Sequence, residues 1–376
     1  MKRNLVWSIV VLAVISGLAL AACSGSAAPA PAAQPTATRA AQPAAPAAQP
    51  TAAQPAAPAA QPTAAQAAVP KAGNKTVAFV PKATESTFWL ALLQGARDAA
   101  KELGGYNEVL YQGVASQADI SGQVNVVGDM VSRKVDGLLV AATDAKALAP
   151  AVENAIKAGV PVITVDSGVD SPAPFAHIAT NNPAAAITAA DTLAKLINSK
   201  GKVGDIGITA GSQTGQERED GFVKRIKDNY PDIKIVPVQY SGCDPSKALN
   251  IASDMATGNP DLNAFYGACD GSGVGAGQQV KQGNLKGKVT VVSFDVTPDE
   301  FQLFLDGYID ALIVQDPWTI GNTGMKQLDK VIKGGKVDNK LVEIPAVVVT
   351  KDSLKDPIIR KLLTTYPDIA KLIPPQ

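Results

Sequence analysis

The sequence predicts an α/β protein of two doubly wound, parallel-sheet lobes within residues 71–376. Two observations carry this. Short apolar runs alternate with helical patterns in two series of about five strand–helix units, the second starting near residue 200. The apolar runs also lack in–out alternation, as strands covered on both faces do.

Residues 76–80, Thr-Val-Ala-Phe-Val, read as a buried strand. Residues 88–103 follow as a helix with Leu92, Leu93, Ala96, Ala100 and Leu103 on one face. A short strand is expected at 108–111, a helix at 119–133 and a strand at 137–141. A helix at 147–158 is stopped by Gly159, and the strand 160–165 ends in Asp166. After the strand 176–180, Asn182-Pro183 opens a helix running to 199, Pro being well tolerated at a helix start. The second series places strands at 202–210, 234–240, 264–269, 289–294 and 311–314. Its helices fall at 216–229, 245–257, 272–282 and 298–306. Residues 342–350 read as an edge strand or a crossing between lobes, and 351–372 as a helical tail.

The N-terminal region is of another kind. Met1-Lys2-Arg3 precedes a nearly continuous apolar run over 5–20, then Leu20-Ala21-Ala22-Cys23. Length and flanks fit a secretory signal peptide over 1–22 rather than a permanent span. The small-small-Cys ending resembles the bacterial lipoprotein box, which implies lipid on Cys23 and an extracytoplasmic, membrane-anchored protein in the cell envelope. Residues 23–70 are mostly Ala, Pro, Gln and Thr, with Arg39 the one charge. Prolines at this density block helices and ladders, so the segment reads as a disordered tether.

Lys plus Arg and Asp plus Glu number 34 each, so no basic surface argues for nucleic acid. His177 is the sole histidine, which argues against His-rich metal sites and His-based triads; a hydrogen-bonded structural role fits it better. With Cys23 assigned to lipid, Cys243 and Cys269 remain. An oxidising exterior permits them to pair; two partly buried free thiols are the alternative.

In open α/β sheets ligands bind beyond the carboxyl ends of the strands. Here those ends carry Asp144, Asp166, Asp270, Asp295 and Gln315-Asp316. Arg218 lies early in the helix after the first strand of the second half, and Phe88 and Trp89 head the first helix. Carboxylates, an amide and a guanidinium suit the hydroxyls of a polyhydroxylated ring, and flat aromatics suit its C–H face. Singly, each Asp also reads as a helix cap or turn former.

These residues resemble the type I periplasmic binding proteins, and within them the ribose-binding-like sugar receptors of ABC transporters. The resemblance spans about residues 75–349. It rests on Thr87-Phe88-Trp89, Val135-Asp136-Gly137 leading to Thr143-Asp144, Ala158-Gly159-Val160-Pro161 leading to Asp166, Glu217-Arg218-Glu219-Asp220-Gly221-Phe222, Val292-Ser293-Phe294-Asp295 and Gln315-Asp316-Pro317. It implies a three-segment hinge between lobes of 71–181 plus about 317–345 and 182–316 plus about 346–376. It further implies a monomer without cofactor or metal, a small sugar or polyol held by hinge closure, and an ABC permease as partner. Phe88 and Trp89 would stack on the ligand; Asp166, Arg218, Asp295 and Gln315, with Asn181 and Asp270, would bond its hydroxyls. Ser167 stands where the ribose receptors carry Arg, Cys243 near an aromatic ligand position, and Cys269 where an Asn would contact sugar. These departures favour a small solute other than ribose, and a Cys243–Cys269 bridge would form part of the pocket wall. Trp318 is expected in the hinge or core.

Two other readings stay open. The same fold can serve as a sensor subunit for chemotaxis or signalling, for instance of a furanose signal. Gly271-Ser272-Gly273-Val274-Gly275-Ala276 formally matches a dinucleotide fingerprint and would suit an exported dehydrogenase. Against that, the unit is third in its sheet and Asp270 would repel a pyrophosphate. Tight turns and close helix packing explain the glycines equally well.

Overall fold

The computed structural model describes residues 73–375; the expected signal peptide, Cys23 and the 23–70 tether lie outside the described residues. The first sheet contains β1 (Val77–Val80), β2 (Leu110–Tyr111), β3 (Gly137–Val140), β4 (Val162–Val165), β5 (His177–Thr180) and β11 (Leu341–Ile344). Its order is β11-β5-β4-β3-β1-β2, all parallel. Alternate residues of each central strand enter opposite cores. Phe79, Leu139 and Ile163 pack beneath α1 (Thr87–Leu103) and α9 (Pro317–Ile332). Ala78, Leu138 and Val162 pack beneath α2 (Ile120–Ser132) and α3 (Ala145–Lys157). Each large side chain so buried contributes about 1.5–3 kcal/mol, and two covered faces explain why the apolar runs do not alternate.

The second sheet contains β6 (Gly201–Gly207), β7 (Ile233–Tyr240), β8 (Leu262–Gly267), β9 (Thr290–Phe294), β10 (Ala311–Val314) and β12 (Val347–Val349), in the order β12-β10-β9-β8-β6-β7. All pairs are parallel except β10 with β12. α4 (Asn182–Leu196) and α5 (Gln213–Asn229) cover one face. α6 (Pro245–Gly258), α7 (Asp270–Gln282) and α8 (Pro298–Leu305) cover the other.

The chain passes between the lobes three times. β5 lies in the first sheet while the next helix, α4, packs on β9, β10 and β12 of the second. β10 lies in the second sheet while α9 packs on α1 and on β3, β4 and β5 of the first. The segment 342–350, read as an edge strand or a crossing between lobes, contains two strands, β11 and β12, one in each sheet, with Pro345 and Ala346 as the crossing. The tail also differs from the expected continuous helix. It is a 3-10 turn, Ser353–Lys355, then α10 (Pro357–Leu363). Pro357 disfavours helical backbone at the residue before it, and Asp356 is extended there at ψ 123° and caps α10. Leu354, Ile359, Leu363 and Tyr366 bind this tail to the second lobe's core.

Two glycines let α1 and α9 touch. A Cβ at Gly95 would run into the Trp318 carbonyl, and one at Gly321 into the Leu92 carbonyl. Trp318 therefore belongs to this helix pair, its Nε1–H donating to Asp98 Oδ2 at 2.8 Å. Among the described residues, no helix is long and apolar enough to cross a membrane.

Candidate functional site

The carboxyl ends of both sheets open onto one cavity between the lobes, with about 350 Å³ of atom-free space, part of it open to solvent. From the first lobe come Lys82 just past β1, Ser86, Phe88 and Trp89 at the start of α1, Gln117, and Asp166 at the end of β4. From the second come Ile208 after β6, Thr214 and Arg218 on α5, and Cys243 after β7. Cys269 and Asp270 at α7, Asp295 after β9 and Gln315 after β10 complete it. Asp166 and Asp295 occupy matching positions in the two lobes, and both have left-handed backbone, φ 61° and 76°. Non-glycine residues seldom adopt that conformation, and where they do it is often at a functional site. Here it turns each carboxylate out of its strand end.

The polar groups are paired across short distances. Lys82 Nζ lies 3.1 Å from Asp166 Oδ2, both side chains nearly fully buried. Arg218 donates from Nε to Asn182 Oδ1 at 2.9 Å and from Nη1 to the Ala268 carbonyl at 2.8 Å. Its guanidinium lies over the Phe294 ring at 4.0 Å, and Nη1 is 3.6 Å from Asp295 Oδ2. Its Nη2, although buried, has no partner. Gln315 donates from Nε2 to Asp295 Oδ1, and its Oε1 accepts from Thr180 Oγ1 at 2.5 Å. The amide is thereby held with its nitrogen toward the carboxylate. Burial pushes the Asp270 carboxyl up to about 6, with the nearby Asp295 charge adding to it. Burial also raises Asp295, against the pull of Arg218.

The lobes touch around this cavity. Ser86 Oγ donates to Asp270 Oδ2 at 3.4 Å, and the Gly168 N–H donates to Gln213 Oε1 at 2.8 Å. Thr214 Oγ1 donates to the Asp166 carbonyl at 3.2 Å, and the Ala145 N–H to the Gly211 carbonyl at 3.3 Å. The arrangement is closed.

Seven of the eight residues expected to bind ligand line the cavity: Phe88, Trp89, Asp166, Arg218, Asp270, Asp295 and Gln315. Asn181 does not; its carboxamide caps α4 by accepting from the Ala184 N–H at 3.0 Å. The neighbouring Asn182 is buried instead and orients Arg218. Asp144 likewise caps α3. His177 is half-buried, its Nδ1 3.0 Å from Thr164 Oγ1, and desolvation lowers its pKa. Cys243 and Cys269 are bonded, with Cα atoms 6.1 Å apart. Their sulfurs lie near the Asp270 carboxylate, but the bond occupies both as metal ligands. The glycine run opening α7 serves packing: a Cβ at Gly271 would strike the Cys243 carbonyl, and one at Gly273 the Ser293 hydroxyl.

Sequence reasoning missed Lys82, Ser86, Gln117, Ile208 and Thr214. The strand-end rule that selected Asp166 also applies to Lys82, two residues past β1. Thr214 and Gln117 carry no such signal, because the lobes bring them in from a helix and a loop.

Residues 77–336 match the periplasmic binding protein domain. The chain is 32% identical over 274 residues to the ribose import binding protein of Escherichia coli K12, covering 73% of this chain and 90% of that protein. A carbohydrate transporter solute binding protein from Agrobacterium radiobacter, solved in complex with D-arabinose, superposes with a TM-score of 0.74 at 33% identity, covering 78% of this chain and 99% of that one. An ABC transporter solute binding protein from Agrobacterium vitis with bound D-fucose gives 0.72 at 33% identity, covering 75% and 98%. Two wound lobes, three crossings and a shared polar cavity agree with these matches, and the chain belongs to the type I periplasmic binding proteins, a family that includes the sugar-binding components of ABC importers.

Proposed function

We propose that this chain captures a small neutral monosaccharide between its lobes and delivers it to an ABC permease, while tethered to the membrane through a lipid on Cys23. The carrying observation is the convergence of Asp166, Arg218, Asp295 and Gln315 from both sheets on one cavity beside Phe88 and Trp89. A sugar has a polar rim and apolar C–H faces, which matches that division of groups. Asp295 and Asp166 accept from ring hydroxyls, and the unpartnered Arg218 Nη2 donates to one. Lys82 and Arg218 balance two of the three cavity carboxylates, so no surplus of positive charge favours an anionic sugar acid or phosphate. Relatives with bound D-arabinose and D-fucose support the ligand class.

Closure follows from the same layout. Contacts such as Ser86 with Asp270 and Gly168 with Gln213 exist only when the lobes meet. A sugar touching both lobes binds the closed state better and shifts the balance toward it. Residues 345–346 and the ends of β5 and β10 serve as the hinge. The chain acts as a monomer, with its own lobes completing the site.

Calorimetric titration of the full chain in detergent with pentoses, 6-deoxyhexoses and hexoses tests this. One member of the panel is expected to bind one to one. Asp295→Asn is expected to weaken it at least about tenfold, because a charge-assisted hydrogen bond is lost. Absence of binding by every sugar overturns the reading.

A further inference from the structure

Most of the residues lining the cavity carry charged, amide or hydroxyl groups, but one wall of the second lobe does not. It consists of the Cys243–Cys269 disulfide and Ile208. Across the cavity the first lobe presents Phe88 and Trp89. The disulfide wall is built into the lobe rather than hung on a loop. Ser241 Oγ accepts from the Cys243 N–H at 3.1 Å and lies 3.0 Å from Ser272 Oγ, which in turn is 3.3 Å from Cys269 Sγ. The Cys243 carbonyl sits where a Cβ on Gly271 would be, so the loop after β7 is pressed against the first turn of α7. Asp270, next to Cys269, reaches across to Ser86 of the first lobe. The bridge therefore fixes both an apolar surface and the carboxylate beside it.

We infer that this disulfide is a specificity-determining wall: it selects monosaccharides that turn carbon–hydrogen surface, rather than a hydroxyl, toward the second lobe between β7 and α7. The reason is chemical. A disulfide has no donor and its sulfurs are weak acceptors. A hydroxyl pressed against it in the closed cavity gives up water without a replacement partner. A C–H edge or methyl group loses nothing there and gains contact with polarisable sulfur. The wall is thus a filter between sugars of the same ring pattern that differ in one substituent. The inference rests on the monosaccharide reading above, and its test separates the two.

The test is calorimetry on the full chain in detergent, with sugars in matched series: L-arabinose, D-fucose and D-galactose; D-ribose and D-allose; D-xylose and D-glucose. Each is titrated into the oxidised chain and into a Cys243→Ser/Cys269→Ser variant, which replaces the bridge by two hydroxyls. The expected result is that the ratio of affinities within the series that binds changes by about tenfold or more between the two proteins, in favour of the more hydroxylated sugar in the variant. A merely structural staple would lower the melting temperature and leave those ratios unchanged; that result overturns the inference while leaving the monosaccharide reading intact. No binding by any sugar to the oxidised chain overturns both. If the variant does not fold, the oxidised chain decides alone. Its best-bound sugar, at saturation, should slow reduction of the bridge by a phosphine about tenfold or more, since ligand seated on the sulfurs bars the attack. An unchanged rate means the ligand does not cover the wall, and the inference fails.

Discussion

Arg218 shows how one buried side chain organises the site. Its Nε and Nη1 are spent on Asn182 and the Ala268 carbonyl, its face lies on Phe294, and Nη2 is buried without a partner. Lysine has no planar fork, so Arg218→Lys is expected to weaken sugar binding at least about tenfold and also to lower the melting temperature, because the buried Asn182 Oδ1 and Ala268 carbonyl lose donors; unchanged affinity in the folded variant would remove Arg218 from the site. A second buried charge behaves differently. Asp205 on β6 is fully buried, neither carboxylate oxygen has a partner, and burial, with the Glu219 charge, pushes its pKa up to about 8. Because the folded value lies above the ordinary carboxylate value, the folded state holds this proton more tightly. Its contribution to stability is full below about pH 4 and is lost as pH rises toward 8. Asp205→Asn is therefore expected to raise the free energy of unfolding at pH 8 by several kcal/mol, the carboxyl being raised from 3.8 to about 8 at about 1.4 kcal/mol for each pH unit, and to have little effect at pH 4. A gain equal at both pH values would contradict this assignment.

Among the elements, legibility followed periodicity and failed where tertiary contact decides. Strands such as β1 and β4 were readable because both faces are apolar, and the ends of β4, β9 and β10 gave Asp166, Asp295 and Gln315 at once. Within 342–350 the residue types alone do not say which sheet receives β11 and which β12, since β-forming residues look alike in either; a change of lobe near residue 345 came only from the family resemblance. Asn181 and Asn182 show the same limit at a helix start. Both suit capping or ligand contact by type, and only packing of α4 against α5 turns Asn182 inward toward Arg218. The pairing of Cys243 with Cys269 depended likewise on the approach of the β7–α6 loop to α7. The helix pair α1–α9 gives a direct check on packing. Gly321→Ala inserts a methyl group against the Leu92 carbonyl, and chemical denaturation should report a loss of about 1–3 kcal/mol. A neutral effect would mean the two helices are less close than described.

At the scale of the whole molecule, the three crossings make two rigid lobes and leave the chain between them as the place to bend. Polar groups from both lobes are then useful only together: Asp166 and Lys82 on one side, Arg218, Asp270 and Asp295 on the other. Arg218 Nη2 is buried without a partner, and burial raises the Asp270 carboxyl. The most direct test of capture between lobes is single-molecule energy transfer between fluorophores on Glu102 of the first lobe and Lys227 of the second, with and without the best-bound sugar. The sugar is expected to gather the molecules into one population at the separation of the closed arrangement, and Asp295→Asn to prevent this at the same sugar concentration. A sugar that binds without moving the distribution, in a chain that remains open, would contradict the account.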